Sequence, residues 1–175
     1  MAVTTEMIKE LRERTGAGIK ECKDILLQTN GDLDKAIEVL RAKGLEIASK
    51  KEGREAKEGL IGIYTHPGTK LVALVELNCE TDFVARTDDF MSLAKELALH
   101  VAATEPRYLT IDEVPEDAIA ESGLTPEKFY EQSVLLAQPY VKDPSRTIQD
   151  MVKEGIAKLG ENIIVRRFVR YEVGG

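Results

Sequence analysis

The run Asn78-Cys79-Glu80-Thr81-Asp82-Phe83-Val84-Ala85-Arg86 sets a carboxylate beside an aromatic ring where the chain turns. Asp82 has four roles open to it: metal ligand, general base, helix cap, or a charge facing a partner. For an isolated Asp, a cap or a solvated acid is the commonest outcome. Phe83 either folds back into the core or waits at the surface for another protein, because junction loops run over the outside of a domain. Cys79, His100 and the acids Glu80, Asp82, Asp88 and Asp89 supply the side chains of a thiol enzyme or hydrolase. Cys79, however, falls at a predicted strand end, with no helix N-terminus or basic neighbour to lower its pKa. Gly16-Ala17-Gly18 lacks the Gly-Lys pattern of a phosphate loop, so the chain is not itself expected to hydrolyse nucleotides.

The elements that carry these residues follow from periodicity. Leu71-Val72-Ala73-Leu74-Val75-Glu76-Leu77 reads as a half-buried strand before the run. Residues 60–65 pair with residues 70–77 as a hairpin through His66-Pro67-Gly68-Thr69. A third strand is predicted over residues 163–173, where Ile163, Val165, Val169, Tyr171 and Val173 alternate on one face, interrupted only by Arg167. Helices are expected from Phe90, Leu93, Ala94, Leu97 and Val101, with Thr87 or Asp88 as cap; from Thr125-Pro126-Glu127; and from Ile148 through Leu159, stopping at Gly160. Upstream, three short helical stripes appear. They are Val3, Met7 and Leu11; Ile19, Cys22 and Leu26; and Leu33, Ala36, Ile37 and Leu40, the last capped by Asp32 and stopped by Gly44.

The predicted fold is α+β: a three-helix module resembling the ubiquitin-associated fold over residues 1–45, a charged connection over 46–59, and an α+β core over 60–175 with a small antiparallel sheet covered by helices. A chain of 175 residues, 43% hydrophobic and 31% charged, can bury one substantial core and a small extra module. Its formal net charge of −7 argues against nucleic acid as a direct partner. The start of the chain has no basic stretch followed by an apolar one, and no segment is long enough to span a bilayer, so no membrane association is expected and the protein is placed in the cytoplasm. Cys22 and Cys79, far apart and without metal-type spacing, suit free thiols in a reducing compartment. Arg166, Arg167 and Arg170, interspersed with Ile164, Phe168 and Glu172, predict an exposed sheet edge or partner surface.

The 78–86 run resembles the signature of bacterial and organellar elongation factor Ts. The resemblance extends to Lys9 through Lys23, containing Thr15-Gly16-Ala17-Gly18, and to His100-Val101-Ala102-Ala103, Gln138-Pro139-Tyr140-Val141, Lys158-Leu159-Gly160-Glu161-Asn162-Ile163 and Arg170-Tyr171-Glu172-Val173-Gly174, in the family's order. Long members of that family carry two related halves in the core; this chain has material for one. The resemblance implies a guanine-nucleotide exchange factor for the GTPase elongation factor Tu, working without covalent chemistry or a cofactor, and in this short form a homodimer. It also implies that Thr81, Asp82, Phe83 and Val84 approach the magnesium side of the partner's nucleotide site. Leu11, Arg12, Ile19, Lys20 and Lys23, around the N-terminal loop, would then grip the partner's GTP-binding domain. For that second group the alternative is that Leu11 and Ile19 fill a small core while the cations face solvent.

His100, three residues after Leu97, is expected to be a packed, hydrogen-bonded core histidine, placed where it would let Phe83 be supported from behind. A competing reading, a ubiquitin-like-binding or scaffolding protein, rests on the N-terminal helices alone and leaves the rest of the chain without a role.

Overall fold

A computed structural model describes residues 2–175. The first apolar cluster is built by α1 (Thr5–Thr15), α2 (Ile19–Gln28) and the first half of α3 (Leu33–Lys51). Leu11, Cys22, Ile25, Leu26, Ala36 and Leu40 are buried together there. Each junction has a local cause. Thr4 accepts the Met7 N–H at the start of α1, Gly16 ends it at φ +70°, and Asp32 accepts the Lys35 N–H at the start of α3.

Two sequence expectations change in this region. Gly44 does not stop α3, which continues to Lys51. Its second half lies along α8 (Ile148–Leu159), where a Cβ on Gly44 would sit 3.4 Å from that of Ala157, so packing against another helix holds the backbone helical through a residue of low propensity. Ile19 is not in the small core. It is 60% exposed at the first position of α2, and Ile25, one position before Leu26, takes the buried place instead.

The second cluster surrounds a three-stranded antiparallel sheet in the order β1-β2-β5, from β1 (Glu58–Thr65), β2 (Leu71–Cys79) and β5 (Ile164–Glu172). Pro67 and Gly68 (φ +90°) occupy the central positions of the β1–β2 turn, which the Thr69 N–H closes onto the His66 carbonyl at 2.9 Å. The inner face carries Ala73, Val75, Leu77 and Cys79. Against it packs α5 (Asp88–Thr104), capped by Thr87, with Phe90, Ala94, Leu97 and Val101 buried. Between α5 and β5 run α6 (Glu116–Ser122), α7 (Pro126–Ser133), the short strands β3 (Pro139–Tyr140) and β4 (Asp143–Thr147), and α8 (Ile148–Leu159). Thr125 and Pro126 begin α7, and Gly160 ends α8 at φ +75°, as the sequence predicts.

The alternation expected along β5 fails halfway. Leu77 pairs with Val165 but Glu76 with Arg167, so Arg166 is an extra residue in the ladder. This bulge reverses which side chains face inward. Phe168 and Arg170 take the inner face, the Arg170 Nε–H donating to the Ala102 carbonyl at 3.0 Å, while Val169 and Tyr171 move to the outer face of the sheet. Of the three arginines predicted on an exposed edge, Arg167 pairs with Glu76 at 2.7 Å and Arg170 with Glu172 at 3.0 Å.

Candidate functional site

At the end of β2 the chain makes a single helical turn, α4 (Asp82–Ala85). Four residues cannot form a stable helix alone, because the first turn fixes several dihedrals for one hydrogen bond. The orientation of α4 is therefore imposed from outside. Thr81 caps it, its Oγ1 accepting the Val84 N–H at 3.4 Å. Ala85 is buried and Val84 packs against the main core, which leaves Phe83 pointing away. Phe83 is 79% exposed, far outside the habit of a phenylalanine. The side chain beside it, Asp82, pairs with Arg86 at 2.9 Å across one turn, so charge and ring are presented together at the tip.

The base of the turn is tied to the segment that follows α8. Glu161 Oε2 accepts the N–H groups of Glu80 and Thr81, both at 3.0 Å, and its Oε1 accepts the Thr81 hydroxyl at 2.5 Å. In return, Glu80 Oε1 accepts the Asn162 N–H at 2.8 Å. That bond, with the nearby Arg54 guanidinium, holds the Glu80 carboxyl below its ordinary value against the opposing effect of burial. The buried Asn162 donates its side-chain N–H to the Arg54 carbonyl at 2.8 Å. Sequence reading missed this tie because its partners lie about eighty positions apart; taken singly, Glu80 and Glu161 look like ordinary solvated charges.

The thiol chemistry considered for Cys79 has no support in its surroundings. The side chain is fully buried, its Sγ–H donates to the Thr81 carbonyl at 3.1 Å, and burial, aided by the Glu161 charge, pushes the thiol up to about 11. At neutral pH this is an inert packed thiol. Among the described residues no cluster of His, Cys, Asp and Glu has the arrangement of a metal site.

His100 is buried, as expected, but its partners lie elsewhere. Val141 donates its N–H to Nδ1 at 3.2 Å, which leaves the proton on Nε2 to donate to Gln138 Oε1 at 2.9 Å. From Asp88 to His100, twelve residues of helix rise about 18 Å, so the ring cannot back Phe83. It fixes the β3–β4 segment instead. Of the N-terminal residues, Arg12, Ile19, Lys20 and Lys23 are exposed, whereas Leu11 is fully buried and has no side-chain surface to offer a partner. The loop between α1 and α2 lies on the core: a Cβ on Gly16 would come within 3.2 Å of the Lys158 side chain, whose Nζ reaches Asp89 at 3.1 Å near the start of α5.

A family model described as Elongation factor TS matches residues 1–124 and 125–175. The chain belongs to the elongation factor Ts family. An Elongation factor Ts of Herpetosiphon aurantiacus is 53% identical, the alignment covering 99% of each chain. One from Fervidobacterium nodosum is 49% identical over 99% of this chain and all of its own, and one from Thermoanaerobacter pseudethanolicus 45% identical over 98% and 95%. Membership places the chain among the elongation factors of protein biosynthesis. Among the described residues no helix is long and apolar enough to cross a membrane.

Proposed function

We propose that this member of the family binds elongation factor Tu carrying GDP and promotes release of the nucleotide, so that GTP can replace it. The observation that carries this reading is Phe83, exposed at 79% on a turn whose base is held by hydrogen bonds, with Asp82 beside it. A ring presented in this way loses little conformational freedom on docking, so most of its burial goes into the contact. Burying a phenylalanine contributes about 1.5–3 kcal/mol, which corresponds to a roughly 10- to 150-fold weakening of the competing nucleotide. Exchange needs more than that. The exposed Arg12, Ile19, Lys20 and Lys23 offer the second contact, with residues 1–45 gripping the GTP-binding domain while the core at residues 60–175 presents the wedge.

Thr81, Asp82, Phe83 and Val84 act on the magnesium side of the partner's site. Magnesium demands near-ideal octahedral geometry and bridges phosphate to protein, so small displacements of the elements holding it loosen the nucleotide. Linkage makes the effect reciprocal: whatever factor the protein takes from GDP affinity, GDP takes from its own. Incoming nucleotide then expels the factor, and this chain needs neither covalent chemistry nor a cofactor. The setting is the cytoplasm, and the active form is a homodimer.

The test is release of fluorescent GDP from elongation factor Tu, with and without the protein and its Phe83→Ala variant. Acceleration by the parent that falls at least tenfold in the variant, by the burial scale above, is the expected result. Because Phe83 makes so little contact within its own chain, the variant should unfold within about 0.5 kcal/mol of the parent. No acceleration by the folded parent would end the exchange reading.

A further inference from the structure

We propose that Glu161 is the positioning residue of the wedge: its carboxylate, by taking both backbone N–H groups before α4 and the hydroxyl that caps it, sets the direction in which Asp82 and Phe83 are presented. The inference rests on the exchange reading above and adds a residue outside the signature run.

The geometry carries it in three steps. β2 ends at Cys79 and α4 begins at Asp82, so Glu80 and Thr81 lie between two regular elements, where their N–H groups need partners of another kind. A single oxygen of Glu161 accepts both at 3.0 Å. The other oxygen accepts the Thr81 hydroxyl at 2.5 Å, and that bond turns the hydroxyl's lone pairs toward the Val84 N–H. The carboxylate therefore reaches the helix through Thr81, and Phe83 lies within that same turn.

A simple surface acid would not be arranged this way. Glu161 follows the left-handed cap Gly160 and precedes the buried pair Asn162 and Ile163, so its backbone is fixed on both sides. The reciprocal bond from the Asn162 N–H to Glu80 at 2.8 Å closes the tie from the other side. Hydrogen bonds to a charged acceptor are stronger than neutral ones, and a carboxylate is the one side-chain group that can accept from three donors here without a competing hydrogen of its own. Glutamine keeps the length but presents only one oxygen, and its amide hydrogens would face a donor.

The experiment is a double-mutant cycle on fluorescent GDP release from elongation factor Tu, using saturating parent, Glu161→Gln, Phe83→Ala and the double variant, with amide hydrogen exchange at Glu80 and Thr81 in the free proteins. The expected result is loss of protection at both amides. Release should slow about tenfold for Glu161→Gln, the scale of one charge-assisted hydrogen bond, with less than a roughly twofold further effect when Phe83 is already alanine, as coupled residues require. A parental rate for Glu161→Gln overturns the proposal. So does an equal slowing in both backgrounds, which would mark a general effect on the fold. If Glu161→Gln does not fold, Thr81→Val enters the same cycle and is read by the release rates alone, since it deletes the hydroxyl that joins Glu161 to α4 and leaves both backbone bonds to the carboxylate in place. A parent that fails to accelerate release removes the exchange reading and this proposal with it; an active parent with an unaltered variant removes this proposal alone.

Discussion

At the scale of single residues, two aromatic rings with opposite surroundings divide the labour. Phe83 has almost no neighbours in its own chain, whereas His100 has a full set. Burial pushes the His100 imidazole below its ordinary value of 6.5, only partly offset by the bond to Gln138. The Val141 N–H pointing at Nδ1 opposes a second proton as well. In the unfolded chain the same ring takes a proton at the ordinary value, so between the two pKa values the unfolded state binds more protons and stability rises with pH. The contribution is complete above about pH 6.5 and declines as pH falls below it. The carboxylates held below their ordinary values, such as Glu80 and Asp143, lose theirs only at more acid pH. The urea midpoint should therefore fall between pH 7.5 and pH 5.5 for the parent and fall less for His100→Gln, whose amide can accept from Val141 and donate to Gln138. Equal slopes for the two proteins would assign the change to other groups.

At the scale of elements, β1 and α5 approach one another closely at Gly62. A Cβ at Gly62 would lie 2.2 Å from the Ala94 carbonyl oxygen, backbone that no rotamer change can move away. Gly62→Ala must push α5 off the sheet, and overpacking of this kind costs about 1–3 kcal/mol. Urea unfolding should register that loss; a midpoint equal to the parent's would show that α5 can slide freely. Glycine in a strand was open to reading from sequence, but which helix it admits was not. The hairpin at His66–Thr69, the Thr125-Pro126 start of α7 and the Gly160 stop of α8 were legible because each depends on neighbours a few residues away. The continuation of α3 past Gly44, the reversal of face in β5 at Arg166 and the Glu161 tie were not, since each depends on a partner distant in sequence. For the same reason the exposure of the candidate wedge was legible only through the family resemblance: periodicity alone leaves Phe83 free to turn either way.

At the scale of the whole molecule, the sheet has one covered face and one bare one. The reversal in β5 places Val169 and Tyr171 beside Val72 and Leu74 of β2, and Ile61 and Ile63 of β1 continue the same outer face. Ile63 is 58% exposed and Tyr171 67% exposed, and the charges Glu76 and Arg167 on this face neutralise one another. A contiguous apolar surface of this kind marks an interaction site. In the homodimer proposed above, a second copy would cover it: two twisted three-stranded sheets stack with aligned strands, and a two-fold axis requires a surface that complements itself. Each chain carries a net charge of −7, so two copies repel one another least through a face whose charges pair, as Glu76 and Arg167 do here. Sedimentation equilibrium should give the mass of two 19.4 kDa chains for the parent. Ile63→Lys puts a charge on the face that the stacked copy would bury, where an unpaired charge is costly, and should give one. Because Ile63 faces outward, the variant should keep the parent's circular dichroism. A parent that sediments as a single chain over a wide concentration range would leave this face to another partner, and with it the question of how the two wedges of a dimer are spaced would not arise.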